Sequence, residues 1–505
     1  MARRRGAHRV GASNHRGAAL TAPAAVSRAE KQYLDRYAES EARELGALRR
    51  RFGHVLTIPA YGEERELRKA LASIPAGPLG DVLIVLVVNG RVDSPQSMRD
   101  ANLATLERLR AAGGCGIPIA QNTTLHEHPR GALLLVDRAT PGRELPPRQG
   151  VGLARKIAAD VALALWSKGR VASPWIHCTD ADVALPMDYF EAATPGAPTA
   201  RNASSTADDS GVANGSVVAN DSGVANSPGI ASGSEAALLY PFRHVDVTRE
   251  ALEYEISLRY YVAGLRFAGS PYAFHTIGST LAVHATAYAR VRGFPRRLAA
   301  EDFYLLNKLA KVGTIRSLHG EPIRLSARAS KRTPFGTGRA LERARGRERN
   351  PAPLRVYHPA VFSHLGAWLQ TLRALAEAGD AVDPADLLRK QIGGWPSADV
   401  KRLRAHLDAG GAWAAARIGA KRCRTPATRA KHLHGGFDAF RTLKLIHALR
   451  AGGLASIPLD EALSEAAFVT ARGGAPLEEV RKQLAAAERE LERPKTFDKN
   501  IRFLT

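Results

Sequence analysis

Short apolar runs alternate with amphipathic segments between Phe52 and Asp180. Apolar runs of about 4–8 residues bounded by turn residues are typical of buried strands, whereas apolar residues spaced three and four apart predict helices. We therefore predict strands over 54–58, 82–88 and 131–136 and a strand ending at Cys178, separated by helices over 63–74, 98–112 and 150–167. Strands that alternate with helices form a parallel sheet covered on both faces. The predicted fold class is α/β, with a Rossmann-like, mostly parallel sheet flanked by helices.

The pattern changes on both sides of this region. Before it, Ser27 with Glu30 three residues later is a capping-box signature, so we predict a helix over 27–51. After residue 365 strand patterns stop and apolar residues recur at helical spacing. We therefore predict an α/β domain over 52–365 and a C-terminal helical region over 366–505.

Two segments contain too few large apolar residues to form a core. Residues 1–26 are mostly Ala, Arg and Gly, and we predict a disordered basic tail. Residues 194–235 are rich in Ser, Asn, Ala, Gly and Asp, and the sequence D-S-G-V-A-N that starts at Asp209 recurs at Asp221. This composition predicts a disordered low-complexity insertion inside the α/β domain.

Composition restricts the partners and the compartment. The chain of 505 residues has 72 Lys and Arg against 49 Asp and Glu, a net charge of +23, which favours anionic partners. A compositional bias towards Arg explains the excess equally well. The three cysteines form no C-x-x-C pair, which fits a reducing cytosol. No apolar run reaches the roughly 20 residues that span a bilayer. We therefore expect a cytoplasmic protein without a transmembrane segment. Its positive charge would permit peripheral binding at a membrane surface.

Polar residues follow the predicted strands where each strand ends. In parallel α/β sheets, ligands bind at the carboxyl ends of the strands. Three such segments are Pro59-Ala60-Tyr61-Gly62-Glu63-Glu64 after the first strand, Asn89-Gly90 after the second and Asp180-Ala181-Asp182 after the strand ending at Cys178.

Asp180 and Asp182 carry the chemistry most clearly. Residues two apart on an extended segment point to the same side, so both carboxylates can face one ligand. Carboxylate oxygens are hard ligands that suit Mg²⁺ and Mn²⁺. A polar turn after a strand is the plainer interpretation of an isolated Asp-x-Asp, so the surrounding motifs must decide between the two.

These motifs resemble those of the family 2 glycosyltransferases, which have the GT-A fold and use nucleotide-diphospho-sugars. The resemblance rests on I-P-A-Y-G-E-E from Ile58, on the Asp180-Ala181-Asp182 triplet, and on Gly293-Phe294 followed by Glu301-Asp302. Arg292 stands where the family has the first Gly of a G-G-F stretch. The resemblance covers residues 52–365 apart from the insertion.

By this resemblance, segments at the ends of the strands and at the start of a helix bind the nucleotide-sugar donor. The residues expected there are Pro59, Ala60, Tyr61, Glu63, Asn89, Gly152, Arg155, Lys156 and Asp180. The charges of Arg155 and Lys156 also suit a diphosphate. As isolated signals, the G-x-G at Gly150 is weak and Lys156 could be an ordinary solvated helix charge.

The resemblance also implies a metal ion and a catalytic base. Mg²⁺ or Mn²⁺ neutralises charge on a departing nucleoside diphosphate, and Asp182 is the expected ligand, with Asp180 at the metal or at sugar hydroxyls. His358 is the candidate for completing the metal shell. Asp302, with Glu301 beside it, is the expected base for the acceptor hydroxyl. The alternative is that both acids only stabilise a helix N-terminus.

The expected function is metal-dependent transfer of a sugar, of the hexosyltransferase type, to an unidentified acceptor hydroxyl, and a carboxylate base favours inversion. The net charge would suit an anionic or membrane-associated acceptor. One alternative is a sugar-phosphate nucleotidyltransferase, which should have a Gly-rich basic loop where this chain has the acidic Tyr61-Gly62-Glu63-Glu64. The other is a non-catalytic, basic nucleic-acid-binding protein. The chain carries no recognised nucleic-acid-binding motif, so no nucleic-acid partner is expected.

Overall fold

The computed structural model describes residues 26–194, 234–327 and 354–491, apart from Ala47, Gly113, Cys115, Asp246, Ala471 and Arg472. The basic tail predicted over 1–26 and the insertion predicted over 194–235 lie outside the described residues except at their edges.

Strands occur mainly in the first two thirds of the chain. They are β1 (His54–Ala60), β2 (Val82–Asn89), β3 (Ile117–Ala120), β4 (Thr123–His128), β5 (Gly131–Arg138), β6 (Trp175–Cys178), β7 (Val183–Ala184), β8 (Glu235–Leu239), β9 (Phe242–Val245), β10 (Leu281–His284), β11 (Thr314–Ser317), β12 (Ile323–Ser326), β13 (Arg355–Val356) and β14 (Ile457–Pro458).

Nine of the strands in the described residues form one mixed sheet in the order β11-β8-β10-β6-β1-β2-β5-β4-β3. Its centre, β6-β1-β2-β5, is parallel, whereas β10 and β4 run antiparallel to their neighbours. A smaller sheet, β7-β12-β9, lies directly after the Asp-x-Asp segment, and β13 pairs with β14. The prediction of an α/β fold with a C-terminal helical region is confirmed, with the parallel strands at the centre of a mixed sheet.

Helices flank the sheet and make up the C-terminal region. They are α1 (Arg28–Arg36), α2 (Glu64–Ser73), α3 (Gln96–Ala112), α4 (Val151–Ser167), α5 (Tyr189–Ala192), α6 (Arg249–Phe267), α7 (Ala285–Arg290), α8 (Glu301–Leu309), α9 (Pro359–Ala378), α10 (Pro384–Gln391), α11 (Ser397–Ala409), α12 (Ala412–Arg422), α13 (Pro426–Gly436), α14 (Ala439–Ala451), α15 (Leu459–Glu465) and α16 (Leu477–Leu491).

Strand β2 shows why the sheet is covered on both faces. All eight of its residues are buried. Leu83, Val85 and Val87 join the core that contains α4, and the alternate residues join the core that contains residues of α2 and α3. Successive side chains on a strand point to opposite faces, so a run that is apolar at every position requires a covering layer on each side.

The N-terminal helix is shorter than predicted. The capping box forms, with Ser27 Oγ accepting from the Glu30 backbone N–H at 3.3 Å and the Glu30 carboxylate accepting from the Ser27 N–H at 2.9 Å. The helix then ends at Arg36 instead of continuing to residue 51. Beyond it the chain packs on α4, where the Glu39 N–H donates to Asp160 Oδ2 at 2.9 Å.

The C-terminal helices build a core of their own, which also includes the buried side chains of Ile256 and Tyr260 from α6. Helix α9 spans the boundary predicted at 365/366, so the helical region begins with this helix and is continuous with the α/β domain. Helices α13 and α14 are separate, and Asp438 caps the second by accepting from the Phe440 and Arg441 N–H groups. Among the described helices, none is long and apolar enough to cross a membrane.

Candidate active site

The loops after β1 and β2 are tied together by a residue of α3. Gly62 adopts φ +65°, a conformation that favours glycine. Its N–H donates to Asn102 Oδ1 at 2.8 Å, and Asn102 Nδ2 donates to the carbonyl of Asn89 at 3.0 Å. The Tyr61 hydroxyl donates to Ser94 Oγ at 3.0 Å. These hydrogen bonds fix the loops at the carboxyl ends of β1 and β2, called the mouth of the sheet below, where a nucleotide was expected.

The expected nucleotide contacts at this mouth differ in accessibility. The side chains of Pro59 and Ala60 are buried in β1, so only their backbone can border a ligand. Tyr61 and Glu63 are half-buried at the surface of the loop. Asn89 is buried, and its Oδ1 makes no hydrogen bond within the described residues. A buried amide oxygen without a partner carries a desolvation cost.

The Asp-x-Asp segment joins β6 to β7, and its Ala181 and Asp182 form a turn where the sequence predicted an extended segment. Ala181 is fully buried, whereas Asp180 and Asp182 on either side of it are half-buried. The two carboxylates therefore lie on the more exposed side of the segment. Thr179, which precedes them, is held by its N–H donating to the Thr57 carbonyl at 3.1 Å.

Arg155 connects this segment to the acid pair of α8. Its side chain is only 4% exposed. One guanidinium nitrogen donates to Asp180 Oδ1 at 2.5 Å and Nε donates to Glu301 Oε1 at 2.9 Å. A further nitrogen donates to the carbonyl of Gly278 at 3.0 Å. Burial alone would lower the pKa of Arg155, but the charges of Asp180 and Glu301 raise it, so the guanidinium stays charged.

A side chain at residue 278 would collide with that guanidinium. A Cβ built at Gly278 would lie 2.8 Å from a terminal nitrogen of Arg155. Gly278 is therefore required for the close approach of the loop before β10 to Arg155.

Asp302 lies in the first turn of α8. Burial raises the pKa of its carboxyl group, and the charge of Glu301 raises it further. The Phe303 N–H, which donates to Asp302 Oδ1 at 2.7 Å, and the charge of Arg155 lower the pKa. The net pKa of Asp302 is about 7. A carboxyl group with a pKa near neutrality is suited to proton transfer. The residue before α8, Ala300, has φ +62°, a strained conformation for a residue with a side chain.

Two of the residues that were expected to contact the nucleotide, Gly152 and Lys156, serve packing in the structure. A Cβ at Gly152 would lie 2.6 Å from the carbonyl oxygens of Pro295 and Arg297, so this glycine permits close contact between α4 and that loop. The Lys156 ammonium is buried and donates to Tyr33 Oη, the Tyr37 carbonyl and Asp160 Oδ2 at 2.6–2.9 Å. The prediction that Gly152 and Lys156 contact the nucleotide is therefore not retained.

We predict that Lys156→Met destabilises the protein by about 3–5 kcal/mol, because it leaves the fully buried Asp160 without its ion-pair partner. Donor binding by the folded variant should be unchanged. Urea unfolding monitored by circular dichroism measures the first effect and calorimetry the second. The control Lys168→Met removes an exposed ammonium beyond the end of the same helix and should change stability by less than about 0.5 kcal/mol. A stable variant that no longer binds nucleotide would return Lys156 to the donor site.

The predicted metal ligand His358 does not join the two aspartates. Its Nδ1 accepts from the Ala360 N–H at 3.2 Å and caps α9, and its Nε2 lies 3.8 Å from Glu465 Oε2. Across the part of the chain that the structure describes, no three His, Cys, Asp or Glu side chains are grouped to hold a metal ion. The carboxylates of Asp180 and Asp182 still fit Mg²⁺ or Mn²⁺, since Mg²⁺ is commonly held by one or two carboxylates with phosphate and water as the other ligands.

Sequence reasoning missed the residues that organise the site through long-range contacts. Asn102 lies on a helix and carries no motif. Gly278 belongs to the segment that leads to Gly293-Phe294 in the sequence resemblance, but its contact with Arg155 was not predicted. Asp438 belongs to the helical region, yet it accepts from Asn307 Nδ2 at 3.0 Å and from Lys311 Nζ at 2.6 Å, which attaches α14 to α8. The one available signal was an Asp at a helix N-cap position.

The chain matches no protein-family model and no curated protein. Among solved structures, residues 1–349 of S. aureus TarS are 12% identical, with a TM-score of 0.30 over 74% of this chain and 89% of that chain. The mannosyltransferase PcManGT from Pyrobaculum calidifontis, in complex with GDP-Man and Mn²⁺, is 16% identical, with a TM-score of 0.31 over 82% of this chain and 94% of that chain. A longer TarS structure gives 12% and 0.30, over 73% and 55% of the two chains. TM-scores this low do not assign a function, so the proposed function is based on the geometry of the site.

Proposed function

We propose that the chain is a metal-dependent glycosyltransferase of the GT-A type, which moves a sugar from a nucleotide-diphospho-sugar to an acceptor hydroxyl with inversion. The observation that carries the proposal is the bridge formed by Arg155. This one buried guanidinium joins an Asp-x-Asp at the end of a central strand to the acid pair at the start of α8. The two groups that the reaction requires, a diphosphate-binding segment and a candidate base, are thereby held in one cluster.

The donor would lie across the carboxyl ends of β1, β2 and β6. Asn89 and the loop of Tyr61 and Glu63 would border the nucleotide there. Asp182 and Asp180 would hold the divalent cation, which neutralises the charge that develops on the departing diphosphate. Because Asp180 is bound by Arg155, its position is fixed before the donor arrives, which lowers the cost of ordering the site.

The acceptor hydroxyl must lose a proton as it attacks the anomeric carbon. Asp302 would accept that proton, and its pKa of about 7 lets it be deprotonated before the reaction and hold the proton afterwards. Attack from the side opposite the leaving diphosphate inverts the anomeric centre. Arg155 and Glu301 would keep Asp302 in a fixed position relative to the Asp-x-Asp segment.

Release of nucleoside diphosphate tests this proposal. The purified chain is incubated with UDP-, GDP- and dTDP-sugars in Mn²⁺ or in EDTA, and free nucleoside diphosphate is measured by chromatography. We expect slow, Mn²⁺-dependent hydrolysis of one donor, lost in Asp182→Asn and retained in Asp100→Asn, which alters an exposed carboxylate on α3. Equal release with EDTA, or release that Asp182→Asn leaves intact, would contradict the proposal.

A further inference from the structure

Two helices of the C-terminal region carry positive charge with no acidic residue beside it. Between residues 409 and 437, which include α12 and α13, the sequence has no Asp or Glu but has six Lys and Arg. Helix α2, by contrast, combines Glu64 and Glu66 with Arg65, Arg68 and Lys69. A surface that carries charge of one sign cannot neutralise itself, and it attracts partners of the opposite sign.

Helix α12 buries one face and presents the other to solvent. The buried side packs on α9, where the rings of Trp413 and Trp368 meet edge to face at 5.1 Å. The exposed residues recur at spacings of three and four, so they share one face of the helix. They are Ala414, Arg417, Ile418, Lys421 and Arg422. A helix that is fixed by packing therefore displays three cations on its outer side.

Ile418 lies in the middle of this outer face. The residue is 49% exposed. Arg417 precedes it, and Lys421 and Arg422 follow one turn later. A lone apolar residue at a protein surface is ordinary. An apolar residue surrounded by cations on one helix face, however, is the arrangement of helices that lie at the boundary between lipid and water.

Helix α13 adds cations next to this face because it packs directly against α12. A Cβ built at Gly419 would lie 2.7 Å from the Leu433 side chain and 3.0 Å from the His432 ring, so a glycine is needed for this close approach. Exposed Lys431 precedes His432, and exposed Arg424 lies in the connection between the two helices. We call the exposed side chains of both helices and their connection the α12–α13 surface, which consists of Arg417, Ile418, Lys421, Arg422, Arg424 and Lys431.

Most cations of the α12–α13 surface are available to a partner. Arg417 pairs with exposed Asp383 at 2.8 Å. The other four side chains make no hydrogen bond or ion pair within the described residues. Arg429 of α13 has a different role, because it donates to two carbonyls in the last turn of α9 at 2.6 and 3.1 Å. Arg429 thus holds the two helices in place, while the surface cations remain in contact with solvent.

The residue types on this surface distinguish between anionic partners. Proteins that bind nucleic acids combine phosphate contacts with aromatic rings that stack on bases, or with amide side chains that read them. The exposed face of α12 has neither, and Ile418 would gain no apolar contact from a phosphate backbone. At an anionic bilayer the cations meet the headgroups, and an apolar side chain enters the boundary of the acyl chains.

We propose that the α12–α13 surface binds anionic lipid membranes, with its cations at the headgroups and Ile418 inserted at the boundary of the acyl chains. This inference goes beyond the proposed function and does not depend on it. Because packing on α9 already fixes both helices, little ordering cost opposes binding. The Tyr272 hydroxyl donates to the His434 carbonyl of α13 at 3.0 Å, so the α/β domain is attached directly to the membrane-binding helices.

Cosedimentation of the full chain with lipid vesicles tests the proposal. The wild type should sediment with vesicles of equal parts phosphatidylglycerol and phosphatidylcholine, and it should stay in solution with phosphatidylcholine alone. Lys421→Glu combined with Arg422→Glu should weaken binding at least about 10-fold, since each cation near an anionic surface contributes roughly a factor of five. Ile418→Ser should weaken binding about 3- to 10-fold, because less apolar area leaves water. The matched control, Arg68→Glu combined with Lys69→Glu, reverses two exposed cations on α2 and should bind nearly as the wild type does.

Absence of sedimentation with the anionic vesicles would overturn the proposal, as would binding that the double reversal on α12 leaves unchanged or that the α2 control weakens equally. Unchanged binding by Ile418→Ser, together with tighter binding of a single-stranded oligonucleotide, would assign the surface to nucleic acid instead. Circular dichroism establishes that each variant is folded. Calorimetry with nucleotide-sugars should give the same result for the wild type and the α12 variants, so the membrane proposal and the glycosyltransferase proposal can fail separately.

Discussion

Replacement of Arg155 by Met is expected to destabilise the protein by about 3–5 kcal/mol and to abolish sugar transfer. The reason for the instability is that Glu301, whose side chain is 5% exposed, would remain buried without a counter-charge. The reason for the loss of activity is that Asp180 and the acid pair would no longer be held in one cluster. Chemical denaturation and nucleotide release measure the two effects.

Two further variants separate charge from geometry at this position. Arg155→Lys keeps the charge but cannot reach Asp180, Glu301 and the Gly278 carbonyl at once, so it should recover part of the stability and little activity. The double variant Arg155→Met with Glu301→Gln should be more stable than Arg155→Met alone, because the orphaned carboxylate is gone. A fully stable and active Arg155→Met variant would contradict the proposed role of Arg155 in joining Asp180 to Glu301.

Asp302→Asn is expected to lower kcat by about 10²–10⁴-fold while leaving donor affinity nearly unchanged, because the amide cannot accept the acceptor's proton. In the wild type, transfer should increase as the pH rises through about 7, where Asp302 loses its proton. That limb of the pH profile should be absent from the residual activity of the variant. An unchanged profile would assign the base to another group.

The pH dependence of stability gives a second, activity-free readout of the same group. The folded pKa of Asp302, about 7, lies above its ordinary value of 3.8. Its protonation therefore stabilises the fold fully below about pH 4, and this contribution is lost as the pH rises through about 7. Asp302→Asn should flatten this decline, so that the variant is more stable than the wild type at pH 8. Thermal unfolding at pH 4–8 provides the measurement, and parallel curves for the two proteins would contradict the pKa.

The central strands and the acidic segments could be predicted because their signals are local. Strand β2 is apolar at every position and is bounded by turn residues, and Asp180 and Asp182 follow a strand directly. The hairpin of β3 and β4 was not predicted, since polar residues such as Thr124 and Glu127 interrupt its apolar pattern. Strand β10 pairs with β6 and β8, which are distant from it in sequence, so no local signal gave its place in the sheet.

The roles of single residues in the site depended on contacts between distant parts of the chain. Arg155 and Lys156 are adjacent in sequence, but successive residues on a helix point in different directions. One reaches Asp180 and Glu301, and the other reaches Asp160 beneath α1. The resemblance and the charge assigned both residues to the nucleotide, and only the packing of α1 on α4 separates them.

Calorimetric titration with UDP-, GDP- and dTDP-sugars, with and without Mn²⁺, tests the central claim most directly when it is repeated on Asp182→Ala. The account predicts Mn²⁺-dependent binding of one donor by the wild type and loss of that binding in the folded variant. Binding of no donor by the wild type, or equal binding by the variant, would contradict a nucleotide-sugar site at the end of β6.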